Sequence, residues 1–86
     1  MSYVLRADVS TAETDNGVTL LDERSGEYFN LNPSGALVLR ALLAGASRDE
    51  AVDRLVAAYG IDRATADTDV TALVSALRSA ELVVVS

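Results

Sequence analysis

One stretch constrains this chain more than any other: Gly26-Glu27-Tyr28-Phe29-Asn30-Leu31-Asn32, followed at once by Pro33-Ser34-Gly35-Ala36. Glu27 to Leu31 alternates as a strand does, with Phe29 and Leu31 on one face and Tyr28 and Asn30 on the other. Asn32-Pro33 is a helix start. Asn caps free backbone amides, and Pro at the first helical position forfeits no hydrogen bond. Upstream the chain reads as sheet, and downstream it reads as helix. A single change from strands to helices predicts an α+β fold rather than an alternating α/β one.

The sheet side has three strand segments. Val9, Thr11 and Thr14 give Asp8 to Thr14 its β-branched character. Asp15-Asn16-Gly17 is a hairpin signal, predicting a type I′ turn into a second strand, Val18 to Asp22. Glu23-Arg24-Ser25-Gly26 is a second turn, into Glu27 to Leu31. The expected result is a three-stranded antiparallel meander. Met1 to Asp8, with Tyr3, Val4 and Leu5, reads as a loose extended lead-in. Phe29 and Leu31 are assigned to the core face. Tyr28 either covers the sheet as a half-exposed aromatic or makes a contact.

Three helices follow. The first carries Ala36, Val38, Leu39, Leu42 and Leu43 at helical spacing and stops at Gly45. Ser47 and Glu50 have the spacing of a capping box. The helix they open has a stripe of Ala51, Val52, Leu55, Val56 and Tyr59 and stops at Gly60. The third runs from near Asp62 to about Ala80, with Ala66, Val70, Leu73, Val74 and Leu77 as its stripe. Leu82 to Val85 is an apolar tail, either a short terminal strand or a packed extended end. The whole predicts a three-stranded antiparallel sheet followed by a winged-helix-like three-helix bundle, with residues 1–86 as a single domain.

Composition removes most chemistry. The chain has no His and no Cys. Disulfides, thiol nucleophiles, imidazole or thiolate metal sites and His-based triads are therefore excluded. No Gly-rich phosphate loop, calcium loop or nucleophile elbow is present, so no enzyme activity, metal or cofactor is expected. Asp67 and Asp69 point to different sides of a helix and cannot act as a carboxylate pair. Asp22-Glu23 and Asp49-Glu50 read as turn and helix-start residues. The net charge is −6, with seven Arg, no Lys and thirteen acids. A winged helix with Asp62, Asp67 and Asp69 on its third helix would repel phosphate, which argues against nucleic acid. An acidic membrane surface would repel it too. There is no signal-peptide pattern and no apolar run of membrane-spanning length, so a cytoplasmic location is expected. What remains is an unpaired sheet edge, which a peptide can extend by adding a strand.

Leu20-Leu21-Asp22, Gly26 to Asn32 and Gly35-Ala36-Leu37-Val38 together resemble the PqqD family of precursor-peptide recognition elements. The likeness continues through Leu42-Leu43-Ala44-Gly45, a capped second helix and the close at Ala80-Glu81-Leu82, spanning about Asp8 to Val83. Its length is similar to that of the discrete recognition proteins of lasso-peptide clusters. The resemblance implies a non-catalytic adaptor that binds the leader of a ribosomally made precursor peptide. The leader adds a strand to Glu27, Tyr28, Phe29, Asn30 and Leu31, in a cleft with the third helix. On that helix Val70, Leu73, Val74 and Leu77 are the apolar candidates, and Asp67 and Asp69 are placed to meet a basic leader residue. Leu73 and Leu77 are expected to serve both core and leader, while Val70 and Val74 also read as plain core. The implied partners are a leader-cleaving cysteine protease and an ATP-dependent macrolactam-forming cyclase. Two alternatives stay open: a chaperone-like partner of a radical enzyme in cofactor biosynthesis, and a small winged-helix transcription factor.

Overall fold

A computed structural model of the chain describes residues 2–85. Met1, which opens the expected lead-in, and Ser86, the last residue of the expected domain, lie outside the described residues. The elements run β1 (Tyr3–Leu5), β2 (Val9–Thr14), β3 (Gly17–Asp22), β4 (Glu27–Leu31), α1 (Pro33–Leu43), α2 (Arg48–Tyr59), α3 (Arg63–Ser79) and β5 (Val83–Val85). β2, β3 and β4 form the antiparallel meander, in that order. With the three helices this is the α+β architecture that the sequence predicts.

Two expectations are corrected. The lead-in is not loose: Tyr3–Leu5 is a strand that pairs antiparallel with the C-terminal strand, Val4 opposite Val84. That pairing joins residues about eighty positions apart, which no local pattern reveals. The hairpin between β2 and β3 is not type I′ either. Neither Asp15 nor Asn16 takes a positive φ, and the left-handed conformation falls on Gly17 at +133°. Gly17 is required there for a second reason. A Cβ at this position would lie 2.0 Å from the Leu31 carbonyl oxygen, so the start of β3 closes directly on the end of β4.

The helix starts form as the sequence predicts. Asn32 accepts from the Gly35 amide at 2.8 Å, and Pro33 follows it in α1. The Ser47 and Glu50 side chains each bond the other's backbone amide. Asp62 caps α3 through Thr65. Gly45 ends α1 with a pair of backbone bonds, its own amide to Leu42 and that of Ala46 to Ala41. α3 ends with the same pattern, from Glu81 to Arg78 and from Leu82 to Leu77. Here the left-handed residue is Glu81, at φ +58°.

α1 sits between two cores. Val38, Ala41 and Leu42 pack with Ala51, Val52, Leu55, Ala66, Val70 and Val74 among the helices. Ala36 and Leu39 pack with Val9, Val18, Leu20, Leu77, Leu82 and Val83 between helix and sheet. Alanines at 36, 41, 51 and 66 are almost completely buried. Small side chains at these contacts let the backbones approach closely, which suits a chain poor in aromatics. Tyr59 leaves the expected stripe and stands half-exposed at the end of α2.

Candidate functional site

β4 is an edge strand, and hydrogen-bond parity fixes which of its groups are free. The Glu23 amide donates to the Asp8 carbonyl at 2.9 Å, extending the β2–β3 ladder by one bonded pair. Bonded and non-bonded pairs alternate along antiparallel strands. Opposite residues of β2 and β3 therefore bond at Ser10–Leu21, Ala12–Thr19 and Thr14–Gly17. Val18, Leu20 and Asp22 direct their backbone groups to β4 instead, opposite Leu31, Phe29 and Glu27. On β4 this leaves the N–H and C=O of Tyr28 and Asn30 pointing away from the sheet. The open edge thus offers two donors and two acceptors in one row.

A cleft of about 410 Å³ adjoins the C-terminal end of that edge. Asn30, Leu31 and Asn32 form one wall, and Asp69, Ala72 and Leu73 of α3 form the opposite wall. Ser34 and Gly35 close one end, while Val38 and Leu55 reach it from the helical core. Asp69, Ala72 and Leu73 stand at i, i+3 and i+4, so they form one helical stripe beside the buried one. Leu73 is half-buried and touches both cores, so its side chain joins the cleft to the interior. The rim is polar and held in place. Asn30 Oδ1 accepts from Thr19 Oγ1 at 2.7 Å, and Asn32 Oδ1 accepts from both Gly35 N and Ser34 Oγ.

The other predicted site residues lie elsewhere. Val70 and Leu77 are buried, Val70 among the helices and Leu77 against the sheet. Neither lines the cleft. Leu77 faces the sheet because it lies one helical turn beyond Leu73 and has rotated inward. Val74 is also nearly buried and edges a different depression. Asp67 is exposed but does not line the cleft, whereas Asp69 does. Phe29 is half-buried against the sheet core, and Glu27 is exposed. Tyr28 is 68 % exposed on the outer sheet face, opposite Leu21. Sequence reasoning missed Ala72, Ser34, Gly35, Val38 and Leu55 as lining residues, and it read Asn32 as architecture alone. Ala72 was legible in principle, because it completes the stripe with Asp69 and Leu73.

Among the described residues no group of His, Cys, Asp or Glu is placed to hold a metal ion, and no helix is long and apolar enough to cross a membrane.

Comparison with known proteins follows the same lines. The family model described as coenzyme PQQ synthesis protein D (PqqD) matches residues 17–83. A solved structure of lasso peptide synthetase B1 complexed with the leader peptide superposes with a TM-score of 0.91 at 38 % identity, covering 99 % of this chain and 100 % of that one. A second, TbiB1 in complex with the TbiA(beta) leader peptide, superposes with a TM-score of 0.83 at 32 % identity, covering 96 % and 94 %. No curated protein sequence matches the chain.

Proposed function

The chain belongs to the PqqD family, and from that premise we propose that it is a non-catalytic adaptor for the leader segment of a ribosomally made precursor peptide in lasso-peptide biosynthesis. The whole chain acts as one recognition domain. The leader adds a strand to β4, bonding the backbone of Tyr28 and Asn30, and sets an apolar side chain into the cleft between Leu31 and Leu73. Asp69 at the rim meets a basic leader residue, while Asp67, on another side of α3, adds only to the long-range negative field. The observation that carries this reading is the coincidence of an open strand edge with a cleft at its end. Both solved relatives, which are named as complexes with leader peptides, support it.

The mechanism is positional. Each added backbone hydrogen bond contributes about 0.5–1.5 kcal/mol net, so four contribute modestly and the buried anchor supplies the rest. Once tethered, the precursor is held at high local concentration beside its maturation enzymes, a leader-cleaving cysteine protease and a macrolactam-forming cyclase. The proposed location is the cytoplasm. No cofactor enters this function. The family description favours one second reading, a carrier for a radical enzyme in cofactor biosynthesis, which would use the same edge. Acidic residues along α3 argue against a transcription factor.

Three variants test the site by fluorescence anisotropy with the labelled leader. Asn30→Pro removes one edge donor, and we expect affinity to fall about tenfold, one hydrogen bond's worth. Ala72→Phe fills the cleft from an exposed position and should weaken binding by a similar factor with the fold intact. Leu73→Asp should abolish binding, and circular dichroism separates that outcome from unfolding. Unchanged affinity in folded Asn30→Pro and Ala72→Phe proteins would rule this cleft out.

A further inference from the structure

Four of the seven arginines form ion pairs with carboxylates. Arg6 pairs with Asp8 and Asp22, Arg24 with Asp8 and Glu81, Arg40 with Glu13, and Arg63 with Asp49 and Asp53. Arg54 lies near Glu50, whose carboxyl is held low first by the Ser47 amide and hydroxyl and also by the Arg54 charge. Arg54, Arg48 and Arg78 form no ion pair among the described residues, and of these Arg48 and Arg78 stand together.

Arg48 also breaks a local rule. It is the first residue of α2, where a cation meets the positive end of the helix dipole at a cost of about 0.3–1 kcal/mol. Its guanidinium reaches across to α3 and donates to Thr71 Oγ1 at 2.5 Å. Arg78 comes to the same place from the last turn of α3. Together with Thr71, Val74, Ser75 and Ser79 they line a depression of about 320 Å³ that contains no acid. Two unpaired cations and three hydroxyls thus converge on one surface of an acidic protein. Arg48 breaks its local rule for one hydrogen bond to a neutral hydroxyl and finds no carboxylate, which points to a functional position.

We propose that this depression is a docking surface for an acidic segment of a partner protein, its carboxylates taken by the Arg48 and Arg78 guanidinium groups. A planar guanidinium receives a carboxylate through two parallel bonds, and the hydroxyls supply further donors. Nucleic acid fits poorly. Two arginines neutralise few phosphates, too few to hold a polyanion along its length. A second copy of the chain carries the same net charge and is repelled at long range. Thr71 lies about 200° around α3 from Asp69, so this surface and the β4–α3 cleft lie on different sides of one helix. Both can be occupied together, and the proposal does not depend on the leader reading.

The test is an NMR titration of the ¹⁵N-labelled protein with the acetylated, amidated hexapeptide Glu-Leu-Glu-Glu-Leu-Glu. Saturable shifts are expected at the Thr71, Ser75, Arg78 and Ser79 amides and the Arg48 and Arg78 Nε–H groups, with Asn30 and Leu73 unmoved. Added salt should weaken the interaction. The double variant Arg48→Gln/Arg78→Gln should bind at least about tenfold more weakly, the loss of one charge-assisted bond or more. Arg48→Gln alone, which relieves the dipole conflict, should fold and bind about threefold more weakly, so the test survives if the double variant unfolds. No saturable shift, or shifts centred elsewhere, would overturn the proposal. So would tighter binding of duplex DNA to the same residues, or concentration-dependent shifts there without peptide.

Discussion

At the scale of single residues, Glu81 and Gly17 hold conformations that the chain needs for different reasons. Glu81 is left-handed because α3 must end abruptly and send Leu82 back under Leu77, and its own carbonyl is gripped by Arg6 Nη1 at 2.5 Å. A side chain in that conformation costs about 1–2 kcal/mol that glycine avoids. The carboxylate's contact with Arg24, at 3.5 Å, is exposed and screened. Glu81→Gly should therefore raise Tm by about 4–8 °C, the shift for roughly 1 kcal/mol in a chain of this size. A scanning-calorimetry Tm unchanged or lowered would show that the Arg24 contact outweighs the backbone. Gly17→Ala should do the reverse. Its Cβ would strike the Leu31 carbonyl at a positive φ, so a loss of more than about 1 kcal/mol is expected in urea unfolding. Because Leu31 lines the cleft, the same change should also weaken leader binding. The sequence shows Asn16-Gly17 as a hairpin turn, but not that Gly17 abuts β4, since that contact depends on how the end of β4 folds back.

At the scale of elements, what was legible and what was not divides by distance along the chain. Asn32-Pro33, Ser47 with Glu50, and the stops at Gly45 and Gly60 are read within a few residues, and each marks the element boundary it should. The β1–β5 pair is not, because its partners lie at opposite ends of the chain. Nor is the role of Arg6, which follows β1. Its guanidinium bonds Asp8, Asp22 and the Glu81 carbonyl, joining the start of β2, the end of β3 and the end of α3. Burial pushes the Asp22 carboxyl up, but the Arg24 amide and the Arg6 charge outweigh it and hold it below the ordinary value near 3.8. The Arg6 hydrogen bond does the same for Asp8. Both folded values are depressed, so their stabilisation is complete above the ordinary carboxylate value and is lost as pH falls through the lowered ones. Urea midpoints should fall in that acid range for the wild-type chain. In Arg6→Gln the protein should be weaker at neutral pH and the acid fall shallower. Parallel pH profiles would show that Arg6 does not hold these carboxylates. Along α3 the helical period gave one stripe, Ala66 to Leu77, where the fold uses two. Val70, Val74 and Leu77 close the cores while Asp69, Ala72 and Leu73 face the cleft. Periodicity finds apolar faces but cannot say which one a neighbouring edge strand leaves open.

At the scale of the whole molecule, α3 divides the surface into two regions of different chemistry. Toward β4 lies a cleft with an apolar floor and Asp69 at its rim. On another side of the same helix lie Arg48 and Arg78 with a ring of hydroxyls. A chain without His or Cys has little else to work with, and an adaptor needs no more than a place for its cargo and a place for its recipient. In the proposed function the leader enters the sheet as a strand on β4. Amide hydrogen exchange by NMR, with and without saturating leader, reads the edge directly. Strand addition predicts that the Tyr28 and Asn30 amides become protected by about tenfold or more, while the Phe29 amide, already bonded to β3, changes little. Tight leader binding that leaves Tyr28 and Asn30 exchanging at their free-protein rates would contradict strand addition.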